Sequence, residues 1–586
     1  MEDPTRKSFS KIELKIIKNT FSNNSNDLRF KDDTRKSLQT FTSKNSFSIL
    51  PKAIDLSDIS RISSVPGHPR LFSLQDIDLS TISFQVSNKS LENLQELIKV
   101  SLPGSTITLP PKRLKFDSLL ITAPILIKGM PGTIIEVGAG SIKIDFLGQL
   151  FECEMQKAII CEVAMEFKVD QNHHSEIITG ALFTLESGSG NLEVRDCDIR
   201  SLNENSFEDF AFWVNGSAYK KKSGKFNSTV NICSCNIQGF FEVCRAGPNA
   251  SVLADKCFIT GCKGNAFTVM NPKELGIKNS VIEKTEKNAI DVFLWEENLG
   301  TGSVSGSKAD TRGSVFIDKN VVVEGNDIKG TGNYGINLWS ESTCHFEFDC
   351  VIKSNKILNC KKEGIAVRHL NINTLLIDSN DSNCNQGTGY WLQKVVTSNL
   401  SICNNRAYDN YSGYGLYIYD TGGITKNNEF FRNSLGGIMV VGASKGTNTN
   451  LLIKKSQIVN NGENGITVMD VYKGVIEISQ CKVNENLHDG INLLQTREIV
   501  EGNTKENSAV SKILGCEVVG NSLFGLNVVR FKCWIEKLKI SDNVQGNIMV
   551  AEDTKGLVKF LGEVKSDEGK NVKKKGMCGK HKCLVF

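Results

Sequence analysis

Asn428-Glu-Phe-Phe-Arg-Asn433-Ser-Leu-Gly-Gly437-Ile-Met-Val440 decides the fold, because it recurs. Ser456-Gln-Ile-Val-Asn-Asn461-Gly-Glu-Asn-Gly465-Ile-Thr-Val468 follows it. Cys481-Lys-Val-Asn-Glu-Asn486-Leu-His-Asp-Gly490-Ile-Asn-Leu493 and Cys516-Glu-Val-Val-Gly-Asn521-Ser-Leu-Phe-Gly525-Leu-Asn-Val528 come next. Each starts on Asn, Ser or Cys. An aliphatic or aromatic residue follows two places on, Asn five places on, Gly nine places on, and aliphatics ten and twelve places on. The frame also fits Asn326–Leu338, Asn355–Val367 and Asn380–Leu392, and Asn405–Ile418 with one inserted residue. Looser copies begin at Cys257 and Ser280, and weaker ones at Cys197, Cys235 and Leu538. A period of 22 to 35 residues between the glycines, with short alternating runs and no helical periodicity, predicts a parallel β-solenoid. One coil cannot bury its apolar side alone; stacked coils share a continuous core.

The Asn, Ser and Cys at the repeat start read as an inward ladder, in which stacked amides satisfy backbone groups from coil to coil. The end cysteines read as small apolar filler. A second Asn column runs through Asn385, Asn410, Asn433, Asn461, Asn486, Asn521 and Asn543. Gly nine places on fits a corner that needs positive φ or close packing.

The pattern resembles the right-handed parallel β-helix family, which includes pectate lyases and intracellular adaptors, over roughly residues 90–563. The N-terminal edge strengthens the resemblance. Ser90 can cap a helix that turns Leu91, Leu94, Leu97 and Ile98 to one side, and Pro103-Gly104 ends it. The phrase Leu120-Ile-Thr-Ala-Pro-Ile-Leu-Ile-Lys-Gly129 then opens the strands. The expected fold is therefore all-β, a right-handed parallel β-helix with a short N-terminal capping helix and disordered termini. Residues 1–80 read as a disordered polar segment, 81–563 as the β-helix and 564–586 as a polybasic tail.

Lys and Arg number 69 against 65 Asp and Glu, a net charge of +4, but the excess is terminal. Residues 1–50 carry +4 and residues 565–586 carry +5, leaving the folded middle at −5. A nucleic-acid binder places basic charge on its folded surface, so no nucleic-acid partner is expected. The longest nearly apolar stretch, Leu119–Ile127, is far short of the ~20 residues that span a bilayer. No apolar run follows Met1-Glu2-Asp3-Pro4, so no secretory signal is expected. The 18 cysteines then read as reduced thiols. Their spacing suggests no metal site, and no cofactor is expected. Cys583-Leu584-Val585-Phe586 matches a prenylation pattern behind Lys573, Lys574, Lys575, Lys580 and Lys582, with Cys578 as a second lipidation candidate. The expected location is the cytoplasm, with an anionic membrane surface on its cytosolic face as a partner for the tail.

Loops inserted at 293–314, 339–350 and 494–509 all follow the second aliphatic position and should rim one surface. Between the aliphatics, the outward column includes Trp391, Tyr417 and Met439 on neighbouring coils. Arg368, His369, Lys394, Asp420 and Asp470 lie just past the strand ends. Three uses compete for this face: a solvated sheet surface, a protein-binding face with Trp, Tyr, Met and Arg anchors, and a polysaccharide cleft with Asp420, Asp470 or His369 as acid or base. The family resemblance makes the enzyme reading testable by motif. Asn-Thr-Asp, Gly-His-Gly and Asp-Pro-His-Asp runs are absent. The leading expectation is thus a non-enzymatic scaffold with a protein partner, similar to the intracellular adaptors typified by the Shc SH2-domain-binding protein and the β-helix F-box protein. No F-box pattern accompanies it. The alternative is a polysaccharide lyase or hydrolase with a carbohydrate ligand.

Overall fold

The computed structural model describes residues 83–85, 94–566 and 583–585, apart from 139, 147–155, 170–178, 186–189, 204–207, 216–227, 296–318, 342–344, 443–448, 497–508, 555 and 563. It forms two compact units, Met1–Phe258 and Ile259–Phe586.

In the first unit the strand Ser83–Gln85 pairs in parallel with Thr106–Leu109. Between them lies helix α1 (Leu94–Val100), which buries Leu94, Leu97 and Ile98. Gln95 on α1 grips the backbone of Leu120: its Nε2 donates to the carbonyl at 2.9 Å, and its Oε1 accepts from the N–H at 2.7 Å. The helix thereby satisfies edge groups that would otherwise be open for pairing. Successive short strands then turn through three faces, as in Leu126–Gly129, Ile134–Val137 and Ile142–Ile144. Ala158–Cys161 returns to pair with Leu126–Gly129.

The second unit repeats this plan. Val396–Cys403 lies on sheet A, Arg406–Tyr408 on sheet B and Leu416–Tyr419 on sheet C, and Gly423–Lys426 returns to sheet A. Aliphatic side chains alternate inward with 0 % exposure at Ile402, Leu416, Ile418, Ile438 and Val440. This is the parallel β-helix expected from the repeat.

Single left-handed residues make the corners. Ser379, Asn404 and Asn427 precede the first ladder, and Cys384, Asp409 and Arg432 precede the second, all with φ between 52° and 56°. The first ladder is hydrogen-bonded throughout. Asn380 Nδ2 donates to Asn405 Oδ1 at 3.0 Å and to Ile352 O at 2.8 Å, and Asn380 N–H donates to the same Asn405 oxygen at 2.9 Å. The second ladder repeats this from Asn385 to Asn543. The ladder cysteines are more than filler. Cys481 donates its thiol to Ile453 O at 3.5 Å and Cys516 to Ile478 O at 3.4 Å, the carbonyls an Asn amide would take.

The repeated glycines resolve in favour of close packing: none of 335, 364, 389, 415, 437, 465, 490 or 525 has positive φ. A Cβ on Gly437 would stand 2.2 Å from Ile458 Cγ2 and 2.8 Å from the carbonyl of Gly465 on the next coil.

The excursions at 293–314, 339–350 and 494–509 leave from sheet C strands Ile290–Leu294, Ile336–Ser340 and Ile491–Leu494. Residues 296–314, 342–344 and 497–508 of these stretches lie outside the described residues, as do Cys578 and residues 1–80, whereas 346–350 belong to the sheet A strand Phe346–Lys353 and are not an insertion. Cys583, expected on a free tail, instead opens a strand. Cys583–Val585 pairs antiparallel with Gly546–Ala551 on sheet C, where every other pairing described in this unit is parallel.

Candidate functional site

The candidate face is the outside of sheet C in the second unit. Its strands stand in strict register. One outward column runs Asp291, Asn337, Ala366, Trp391, Tyr417, Met439, Thr467, Asn492, Asn527. A second, two residues further along each strand, runs Phe293, Trp339, Arg368, Gln393, Tyr419, Val441, Met469. Period-two alternation, already evident in the repeat, sets both columns.

Trp391 and Tyr417 are half-buried neighbours on adjacent coils. Met439 holds the expected register but is only 8 % exposed, and Val441 beside it 7 %. Met439 is therefore a packed residue and not part of an exposed strip.

The residues past the strand ends have a shared backbone role. His369, Lys394, Asp420 and Asp470 all have positive φ, at 56°, 50°, 47° and 53°. They form the left-handed corner that leaves sheet C, a conformation that Asp and His tolerate better than most residues. Asp470 binds the backbone N–H and hydroxyl of Thr496, each at 2.7 Å. Asp420 is buried. Neither Asp is free to act on a ligand from this corner. Burial, then the nearby Lys394 and Arg368 charges, lower the His369 imidazole from its ordinary value, which favours its neutral form.

Arg368 is different. Its guanidinium carbon lies 5.1 Å from the centre of the Tyr334 ring and 5.3 Å from that of Trp391. One of its terminal nitrogens donates to Asn337 Oδ1 at 2.9 Å, and its Nε is buried without a hydrogen-bond partner. Asn337 Nδ2 donates onward to Asp291 Oδ1 at 2.6 Å, joined there by Trp339 Nε1 at 3.3 Å. Burial raises the Asp291 carboxyl above its ordinary range, against donors from Asn337, Trp339 and Asn288. Phe293 extends the aromatic ground, with its ring centre 4.2 Å from that of Trp339 and 5.1 Å from that of Trp295. The face thus offers rings on several coils and one cation clamped between two of them.

Sequence reasoning placed Arg368 and Trp391 on this face but missed Tyr334 and the Asp291–Asn337 relay. Tyr334 lies two residues before the strand Ile336–Ser340, outside the alternating columns. Asp291 and Asn337 stood in the outward column, where two adjacent polar residues were the available signal.

Among the described residues no cluster of three or more His, Cys, Asp or Glu is placed to hold a metal ion.

Residues 349–449 match the family model described as "Right handed beta helix region". No curated protein matches the chain in sequence. Among solved structures, the periplasmic alginate epimerase AlgG shares 10 % identity, with 85 % of this chain and 89 % of that chain covered and a TM-score of 0.26. The A-module of the Azotobacter vinelandii mannuronan C-5 epimerase AlgE4 shares 11 % identity over 81 % and 92 %, with a TM-score of 0.25. A mannuronic acid specific polysaccharide family 6 lyase from human gut microbiota shares 8 % over 74 % and 86 %, with a TM-score of 0.26. At these values the likeness is one of fold alone. The expected kinship with intracellular adaptors finds no support in these matches, which are polysaccharide epimerases and a lyase. The non-enzymatic scaffold reading built on that kinship is corrected accordingly.

Proposed function

We propose that the outer face of sheet C binds an acidic polysaccharide and that the protein is carbohydrate-active. The observation that carries this reading is Arg368, half-buried with its guanidinium held between the Tyr334 and Trp391 rings. A planar guanidinium fixed by two rings is prepared for a carboxylate, which it can meet with parallel hydrogen bonds. The rings beside it supply flat apolar ground for the C–H faces of sugars. Successive coils present such ground every ~4.8 Å along the sheet. Asp291 lies deep in the relay, where it orients Asn337 and through it Arg368.

The reaction class that these groups support is proton abstraction beside a uronate carboxylate, leading to elimination or epimerisation. Arg368 would neutralise the carboxylate and so acidify the adjacent C–H. His369, whose neutral form its surroundings favour, is the base next to Arg368 in the chain. The test is a screen of the purified full chain on polymannuronate, polyguluronate and polygalacturonate, with and without calcium. Product unsaturation and C5 inversion are the readouts. Binding that Arg368→Lys weakens supports the reading. Activity that His369→Gln abolishes, with binding retained, supports the chemistry.

A further inference from the structure

A separate feature lies on sheet B of the second unit. Arg406–Tyr408, Glu429–Phe431 and Gln457–Val459 are successive strands in register, so Tyr408, Phe431 and Val459 stand in one outward column. The Tyr408 and Phe431 rings stack with centres 4.8 Å apart and planes 3° from parallel. Both rings are fenced by cations. The Arg432 guanidinium carbon is 4.8 Å from the Phe431 centre, and that of Arg406 is 5.7 Å from it. Each cation is itself held. Arg432 takes Asp409 with two bonds of 2.8 and 2.7 Å, and Arg406 Nε meets Glu429 at 3.2 Å. Asn383 Nδ2 donates to the Tyr408 hydroxyl at 2.8 Å. The ring wall is therefore built before any ligand arrives.

The ring column stops at Val459. A short branched side chain follows two rings, so the outer part of Phe431 is left uncovered on that side. A cavity of 240 Å³ opens there, lined by Glu429, Phe431, Arg432, Gln457, Val459 and Asn460. Its floor is one aromatic face. Its rim holds a carboxylate, a guanidinium and two amides, which together both donate and accept.

We propose that this slot is a second sugar subsite, taking one pyranose ring against Phe431. The identity of the ligand rests on the carbohydrate reading of sheet C; the slot itself does not. A pyranose offers an apolar C–H face to the ring and hydroxyls to a mixed rim. Both nearby arginines already hold carboxylates, and no lysine is among the described residues that line the slot, which disfavours a phosphate. One wall is aliphatic, so a nucleobase would stack on one side only. The slot consequently reads hydroxyls and ring shape and accepts neutral sugars, whereas Arg368 on sheet C selects for a carboxylate.

The experiment titrates the full chain with cellohexaose, a neutral probe, and with hexamannuronate, an acidic one. Cellohexaose is expected to bind the wild type and Trp391→Ala alike. Val459→Phe continues the ring column into the slot and should weaken cellohexaose at least tenfold, while leaving the melting temperature unchanged or raised. Phe431→Ala should do the same to binding by removing the floor. Failure of cellohexaose to bind the wild type overturns the slot. So does binding that Val459→Phe leaves intact. The two sites fail separately: hexamannuronate binding lost in Trp391→Ala but kept in Val459→Phe upholds sheet C whatever cellohexaose does. Cellohexaose binding lost only in Val459→Phe and Phe431→Ala upholds the slot whatever hexamannuronate does.

Discussion

The Arg368 guanidinium carbon stands 5.3 Å from the centre of the Trp391 ring, on strands one coil apart. Ala366, directly opposite Trp391, is the small residue that leaves space for this arrangement. A cation over an aromatic face contributes about 0.5–2 kcal/mol, more as water is excluded. Trp391→Ala is therefore expected to lower stability by about 1–2 kcal/mol in urea titration, while far-ultraviolet circular dichroism stays that of the wild type. A loss of the β signal would mean that Trp391 belongs to the core and not to the face.

Asn405 anchors the first ladder. Its Oδ1 accepts from Asn380 N–H and Nδ2, and its Nδ2 donates to Ile377 O at 2.8 Å. Asn405→Ala leaves these groups buried and unpaired, at about 1–3 kcal/mol for each group that water cannot reach. A loss of about 2–5 kcal/mol is expected, seen as a lower urea midpoint. A change below 0.5 kcal/mol, the size of an ordinary surface substitution, would show that the ladder amides are not structural.

Gly437 tests the packing account of the glycine column. A Cβ there meets Ile458 and the Gly465 carbonyl well inside contact distance. Gly437→Ala should destabilise by about 1–3 kcal/mol through overpacking. Gly437→Ala combined with Ile458→Ala, which removes the Cγ2 contact, should cost less than the two single changes added together, a recovery through the shared contact. No recovery would place the strain in the backbone instead.

Asp291 sets a pH dependence. Burial raises its carboxyl in the folded chain, so the folded state holds a proton more firmly than the unfolded one. Its contribution is present in full below the ordinary carboxylate value of about 3.9 and is lost as pH rises through the raised folded value. Asp291→Asn removes this dependence. The stability of the variant relative to the wild type should rise with pH across that window and then level off. Urea midpoints for both proteins from pH 3.5 to 7 would show it. A difference that shrinks as pH rises would reverse the sign.

The strand Cys583–Val585 covers the edge of Gly546–Ala551, pairing Leu584 with Val550 and Val585 with Met549. Open strand edges invite pairing with other chains. Deleting 583–586 should speed amide exchange across 549–551 and raise the self-associated fraction in sedimentation. Unchanged exchange at those amides would show that the edge is not covered in solution.

Much of this was legible in the sequence because the solenoid writes its geometry as a repeat. Asn380, Asn405 and Asn428 fell in one column because each coil places the same residue at the same corner. Trp391 and Tyr417 were assigned to an outward column by period-two alternation alone. Contacts that depend on side-chain reach were not legible. Arg368 meets Tyr334 from 34 residues away, and no spacing rule connects them. Met439 kept its column yet is buried, because exposure depends on neighbours outside the strand. His369, Lys394, Asp420 and Asp470 recur because the corner needs a left-handed residue, and of the four only His369 keeps a part in the proposed chemistry. The Tyr408–Phe431 stack occupies the outward position that follows the inward residue of each short sheet B strand. The same alternation marks those positions, but nothing in the sequence around them, such as a following loop, sets them apart from the other sheet B strands.

The central claim is that Arg368 and its flanking rings recognise an acidic sugar. The most direct measurement is calorimetric titration of the full chain with hexamannuronate, for the wild type and Arg368→Lys, at matched ionic strength. Lysine keeps the charge but loses the planar fork and the ring stacking. The account predicts binding by the wild type and at least tenfold weaker binding by Arg368→Lys, with the two proteins folded alike by circular dichroism. Equal affinity in the two proteins, or no binding by the wild type to hexamannuronate or to its guluronate and galacturonate counterparts, would contradict it.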